Sequence, residues 1–234
     1  VMSDVPFALF TLLALHLATW KKWVWAGIFM AIAASTRTVG VSLMLASSVL
    51  LAIQCVRHRN NILADAKIWL QFGGFCVAVA GYFFINHLLF ATNSESGYKN
   101  VFELYSFQET ISGNVELYWK FTQNLLFSEA GGWFTGAAFF LFISVAIFGW
   151  AQKSLSNLGL AEIWLPIYLL VLAVYPYRGG ALRFIIPVLP LLFYYCGMAI
   201  KNRGGYLFYL VVGLVCLPIV MNAGRTIDFA KNWP

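Results

Sequence analysis

A chain of 234 residues that is 61% hydrophobic and only 10% charged, with a mean hydropathy of +0.78, is too apolar for a soluble domain; average chains are roughly 45–50% apolar and about 25% charged. The net charge of +6 gives no reason to expect nucleic acid as a partner, because there is no contiguous basic run and basic residues in such chains anchor cytoplasmic loops. The four cysteines, Cys55, Cys76, Cys196 and Cys216, lie in apolar runs without CxxC or Cys/His spacing, so they read as small hydrophobes and not as metal ligands or disulfides.

In chain order, apolar segments fall at about 5–20, 23–36, 38–55, 67–90, 132–150, 163–176 and 184–200, with an eighth at about 206–221. Several are shorter than the ~20 residues of a standard span. The run from Trp23 to Val56 is too long for one helix, and Arg37 at its middle, with Gly40 nearby, predicts two short helices that turn there. The expected fold is all-α: a polytopic transmembrane helix bundle of seven or eight spans. Residues 1–90 would supply four short transmembrane helices, 91–131 an extracytoplasmic loop, 132–221 four more transmembrane helices and 222–234 an extracytoplasmic tail. The chain opens on Val1 without a signal-peptide pattern and stops abruptly at Trp233-Pro234, so it reads as an internal piece of a longer protein.

Loop charges fix the expected orientation. Lys21 and Lys22 follow the first run, Arg57, His58, Arg59 and Lys67 flank the link after the third, Lys153 follows the fifth, and Lys201 and Arg203 follow the seventh. Placing all of these links in the cytoplasm satisfies the positive-inside rule with a single topology. Asp4, the Arg37 turn, the 91–131 loop, the Arg178/Arg183 link and the tail then share the opposite face, which is periplasmic, extracellular or lumenal.

The 91–131 loop holds Glu95, Glu103, Glu109, Glu116 and Glu129. Within it Leu104, Phe107 and Ile111, then Val115, Tyr118, Phe121 and Leu125, recur at helical steps. Ser112-Gly113-Asn114 is expected to break the run, giving two amphipathic surface helices with their apolar faces on the membrane. A merely structural or partner-binding loop is the plainer alternative. His16 reads as core packing, and His87, beside Asn86 near the outer end of its span, as a candidate substrate contact.

The richest stretch is Tyr175–Pro190, YPYRGGALRFIIPVLP, which sets Arg178 and Arg183 between two apolar runs. A charge in lipid costs roughly 2.5–3.5 kcal/mol even on the lenient insertion scale, so these guanidinium groups are expected to face a polar site and hold an anionic headgroup. Arginine suits phosphate because its planar fork makes paired, charge-assisted hydrogen bonds. Arg37, Arg178 and Arg183 are therefore the candidate phosphate ligands, and snorkelling or pairing with a structural carboxylate is the alternative for each. Tyr175 and Tyr177 serve equally as interfacial belt residues or as sugar contacts. Asp4 stands at the mouth of an apolar span; it would position an acceptor, bind a divalent metal, or cap the helix, since Ser3 and Asp4 precede Pro6 as N-terminal signals do.

Three stretches together resemble one group, the polytopic GT-C fold glycosyltransferases of the protein-mannosyltransferase and aminoarabinose-transferase type. Ser3-Asp4-Val5-Pro6-Phe7 resembles their acidic-plus-proline entry to a span. Gly27 to Leu45, GIFMAIAASTRTVGVSLML, resembles their small-residue helix ending in a Thr–basic pair, here Thr36-Arg37. Arg183 to Pro190, RFIIPVLP, resembles their Arg-aromatic-apolar-Pro-x-x-Pro signature. The resemblance implies transfer of a mannose-like hexose or related sugar, with inversion, from a polyprenyl-phosphate donor in the bilayer to a protein, lipid or glycan acceptor. It also implies a general base in an upstream extracytoplasmic loop; Asp4 matches the family's second acidic position, so the fragment alone is expected to be inactive. A transporter or flippase of a lipid-linked saccharide, or a non-catalytic subunit of a membrane complex, are the competing expectations.

Overall fold

The computed structural model describes residues 4–57, 66–90, 107–127, 132–175 and 184–201, with Gly213. Every regular element among them is helical: α1 (Asp4–Thr19), α2 (Trp23–Thr36), a 3-10 turn (Thr38–Gly40), α3 (Val41–Arg57), α4 (Ala66–Phe90), α5 (Phe107–Phe127), α6 (Gly132–Ser156), α7 (Leu160–Val174) and α8 (Leu189–Lys201). Three stretches are long and apolar enough to cross a membrane: Thr38–Arg57, Ile68–Leu88 and Thr135–Ser156. The other apolar helices are shorter; the 14 residues of α2 reach about 21 Å at 1.5 Å per residue, short of a ~30 Å hydrocarbon core. The expected run at 206–221 lies outside the described residues, Gly213 apart, as do residues 91–106, 128–131 and the tail.

The chain divides into two compact units. Residues 1–114 and 158–187 form the first, 115–157 and 188–234 the second, and the boundary falls inside α5, after Asn114.

In the first unit, α1 ends in a Schellman turn. Lys21 N–H donates to the Ala18 carbonyl (3.0 Å) and Lys22 N–H to that of Leu17 (2.9 Å), with Lys21 in the left-handed region at φ 61°, a place that glycine usually takes. The chain then reverses into α2, and Phe10 stacks on Phe29 (centroids 5.9 Å apart). Helix α2 stops at Arg37 for a local reason: Ser35 and Thr36 hydroxyls donate back to the Ala31 (2.9 Å) and Ala33 (2.7 Å) carbonyls, a competition that unsettles helices. Arg37 is extended (φ −150°, ψ 135°). The chain doubles back so tightly that a Cβ on Gly40 would lie 2.6 Å from the Ala33 carbonyl oxygen. The paired short helices expected around Arg37 are therefore present.

Helix α4 packs along α2 through small residues. A Cβ on Gly27 would strike the Gly74 carbonyl, one on Gly74 would strike the Trp23 carbonyl, and one on Gly81 would lie 2.9 Å from Ala31 Cβ. Both numbers rise together, so the two helices are parallel. Such small-residue seams allow the close backbone approach on which apolar helices depend when no hydrophobic effect drives them together. Helix α7 joins the unit through Trp164, fully buried, whose indole N–H donates to Ser42 Oγ at 2.9 Å.

In the second unit, Leu126 of α5, Ala138, Phe139, Phe142 and Ala146 of α6, and Cys196, Ala199 and Ile200 of α8 make one core. Trp119 meets Phe139 edge-on, with centroids 4.7 Å apart. A Cβ on Gly149 would overlap the Tyr195 carbonyl, so α6 and α8 also touch by their backbones.

Helix α5 corrects the expectation of a break at Ser112-Gly113-Asn114: it runs unbroken from Phe107 to Phe127. Ser112 Oγ donates to the Glu109 carbonyl (3.4 Å) and stays within the helix. Asn114 sends its amide to another helix and so does not compete for its own backbone. The buried stripe also differs from the expected one: it is Thr110, Asn114, Tyr118, Thr122 and Leu126, at steps of four, while Phe107 and Val115 stay exposed. Glu109, Glu116 and Lys120 line the opposite face. His16 is a further correction: it is exposed, with its ring against Trp20 (4.7 Å).

Candidate functional site

The first unit gathers elements from distant parts of the sequence around Phe184. Its ring lies 4.6 Å from the Arg37 guanidinium carbon, and the Tyr175 ring meets it edge-on at 5.4 Å. Its carbonyl accepts from the Tyr168 hydroxyl at 2.8 Å. Tyr168 in turn stacks on Phe7 (6.3 Å) and packs against Trp164 (4.6 Å). Phe7, Trp164, Tyr168 and Phe184 are all buried. The aromatic cluster thus connects the first turns of α1, the α2–α3 turn and the start of the 184–200 apolar stretch.

An arginine beside an aromatic ring gains about 0.5–1 kcal/mol when exposed and about 2 or more when desolvated. That attraction uses the π face of the ring and engages no acceptor. Phosphate recognition by guanidinium uses in-plane N–H groups, so the two interactions are compatible on one side chain.

Among the expected site residues, Arg37 and Tyr175 are in this cluster. Asp4 opens α1, one turn before Phe7; its side chain lies outside the described part. Tyr177, Arg178 and Arg183 are outside the described residues, although the two residues bounding that stretch, Tyr175 and Phe184, are in contact. His87 is exposed near the C-terminal end of α4. The register set by Trp23 beside Gly74 and Ala31 beside Gly81 brings residue 87 to about the level of residue 37, at the same end of the α2–α4 pair. Among the described residues no three His, Cys, Asp or Glu side chains gather to hold a metal ion.

Three residues of the site escaped the sequence reading. Phe184 stood next to Arg183 in the Pro-containing motif, so its neighbour was the available signal. Tyr168 had no signal beyond an aromatic in an apolar run. Asn114 was hidden by its own context, because Ser-Gly-Asn is a turn signal. It is 1% exposed, and its amide nitrogen donates to the Leu172 (3.3 Å), Ala173 (3.0 Å) and Tyr175 (2.6 Å) carbonyls. Those groups belong to the last turn of α7 and its C-cap, where helix carbonyls run out of intrahelical donors; the Leu172 carbonyl also accepts from the Tyr175 N–H at 3.3 Å.

A second buried polar group sits at the other end of α7. Glu162 is 5% exposed and accepts from the Gly159 N–H at 2.9 Å. The carboxylate covers a donor of the first turn, where negative charge is also favoured by the helix dipole. A Cβ on Gly159 would lie 2.8 Å from its Oε2, so glycine leaves the carboxylate room. This arrangement is that of a cap.

The chain matches no family model, no curated protein and no solved structure.

Proposed function

We propose that this chain is the membrane-embedded part of a glycosyltransferase, a bundle of seven or eight spans that takes a hexose-like sugar from a polyprenyl-phosphate donor and passes it to an extracytoplasmic acceptor. The observation that carries the reading is the cluster of Phe7, Arg37, Tyr168, Tyr175 and Phe184. Each of the three stretches that resemble the GT-C glycosyltransferases contributes to it, or adjoins it, from a separate part of the chain. Up-and-down packing of α1 and α2 brings the first two stretches level; the contact of Phe184 with Arg37 joins the third to them.

In the proposed reaction Arg37, with Arg178 and Arg183, holds the donor phosphate at headgroup depth. The acceptor hydroxyl attacks the anomeric carbon as the bond to the phosphate oxygen breaks, and the phosphate leaves with the bonding electron pair. The arginines stabilise that departing charge, and a carboxylate base removes the acceptor proton. Asp4 positions the acceptor. The isoprenoid tail would lie along exposed apolar helix faces such as that of α4, where Phe83, Phe84 and Leu88 are exposed.

The test is sugar transfer from a radiolabelled polyprenyl-phosphate hexose by the full-length protein in proteoliposomes. Arg37→Ala and Arg183→Ala are each expected to lower the rate at least ten-fold, a loss of about 1.4 kcal/mol or more in transition-state stabilisation. Arg37→Lys keeps the charge but not the fork and is expected to fall between. Unchanged rates in both alanine variants would overturn the assignment.

A further inference from the structure

Asn114 does more than satisfy hydrogen bonds. Asparagine is a poor choice for a helix interior, yet here it is buried, and its amide serves three carbonyls at the end of another helix. Helix α7 ends without a left-handed glycine: its C-cap, Tyr175, is extended at φ −67°, ψ 123°. The side chain from α5 therefore does what a Schellman glycine does elsewhere. The shortest of its three bonds, 2.6 Å, is to Tyr175 itself. The Tyr175 ring packs on Phe184, and the Phe184 ring seats Arg37.

We infer that Asn114 is a positioning residue, which sets the place of the Arg37 guanidinium through Tyr175 and Phe184 and thereby its grip on a lipid-linked phosphate. The second half of this statement rests on the proposed reading of Arg37 as a phosphate ligand; the first half does not. The chemistry explains the residue type. Aspartate would face three carbonyl acceptors with two more acceptors and no donor. Leucine would take the side-chain donor away from all three, leaving the Leu172 carbonyl only the Tyr175 N–H. Glutamine, longer by one methylene, restores an amide with some displacement.

Two readouts on the full chain in nanodiscs test this. The first is the NMR resonance of the Arg37 Nε–Hε group, which the Phe184 ring current shifts, recorded without any added lipid ligand. Asn114→Leu and Asn114→Asp are expected to move it, Asn114→Gln to move it less, and Tyr175→Leu, which leaves the Asn114 amide in place, to move it as well. The second is binding of a polyprenyl monophosphate. Asn114→Leu is expected to weaken it about ten-fold, as Arg37→Ala does, and the double variant is expected to bind no more weakly than Arg37→Ala alone. A purely structural role predicts additive losses. Should Asn114→Leu not fold, Asn114→Gln and Tyr175→Leu carry the test. An Arg37 resonance unmoved by these variants would overturn the positioning role, as would additive losses. A resonance that moves in a protein with no affinity for polyprenyl phosphate would uphold the positioning role and overturn the reading of Arg37 as a phosphate ligand.

Discussion

Lys21 adopts φ 61°, a conformation that costs a side-chain-bearing residue roughly 1–2 kcal/mol. The strain is tolerated because two backbone hydrogen bonds close the Schellman turn around it. Lys21→Gly is expected to raise the melting temperature of the detergent-solubilised protein; a lower one would mean that the lysine charge outweighs the backbone term. The Trp164–Ser42 hydrogen bond makes an opposite prediction. Ser42 is 3% exposed, and Ser42→Ala leaves the indole N–H buried without this acceptor, at a cost of about 1–3 kcal/mol, read as a lowered melting temperature. On the exposed face of α5, Lys120 donates to Glu116 at 2.6 Å. The hydrogen bond and then the charge of Lys120 lower the Glu116 pKa, and Glu116 raises that of Lys120 by the same two causes. The sign follows for each partner. The contribution to stability is fully present between their ordinary values, is lost on the acid side as pH falls through the depressed Glu116 value, and on the alkaline side as pH rises through the elevated Lys120 value. Full exposure keeps it small. Lys120→Ala should move the Glu116 carboxyl midpoint upward in a carbon-13 titration, and an unmoved midpoint would deny the pair any role.

Helices were legible in this sequence where a charge interrupted apolar residues. Arg37 in the middle of a run from Trp23 to Val56 forced a turn, and the turn is there. Boundaries were less legible. Helix α6 runs on to Ser156 past the expected end at 150, because Lys153 in its last turn suits the helix C-terminus. Helix α8 starts at Leu189 and not at 184, with Pro187 in the turn before it. Ser-Gly-Asn misled because its turn chemistry is local, whereas Asn114 finds its partners 58 to 61 residues away. Arg37 and Tyr175 are nominated as site residues by the sequence, whereas their common neighbour Phe184 enters only as part of a motif, because its contacts with both are not local. At this scale the seam between α2 and α4 makes the sharpest forecast. Gly27→Leu would drive a side chain into the Gly74 backbone, so a destabilisation of about 1–3 kcal/mol or more is expected from overpacking. The same change at Gly73, which has no neighbour near its missing Cβ, should be nearly silent. Equal effects at the two glycines would contradict the packing.

For the molecule as a whole, composition alone pointed to the membrane, and the described residues include three helices fit to cross one. Lys21 and Lys22 open α2 and Arg37 closes it, so the basic link and the candidate site lie at opposite ends of that helix. The proposed function needs only the Arg37 end to meet a lipid-linked phosphate. The most direct measurement is photo-crosslinking with a polyprenyl phosphate carrying a diazirine close to its headgroup, followed by peptide mapping of the full-length protein in proteoliposomes. The account predicts labels in Arg37–Val41 and in the stretch from Tyr175 to Phe184, suppressed by excess unlabelled polyprenyl phosphate and absent from Arg37→Ala. Labels confined to the Lys21–Lys22 end, or spread evenly over the lipid-facing residues of α4 and undiminished by competitor, would contradict it.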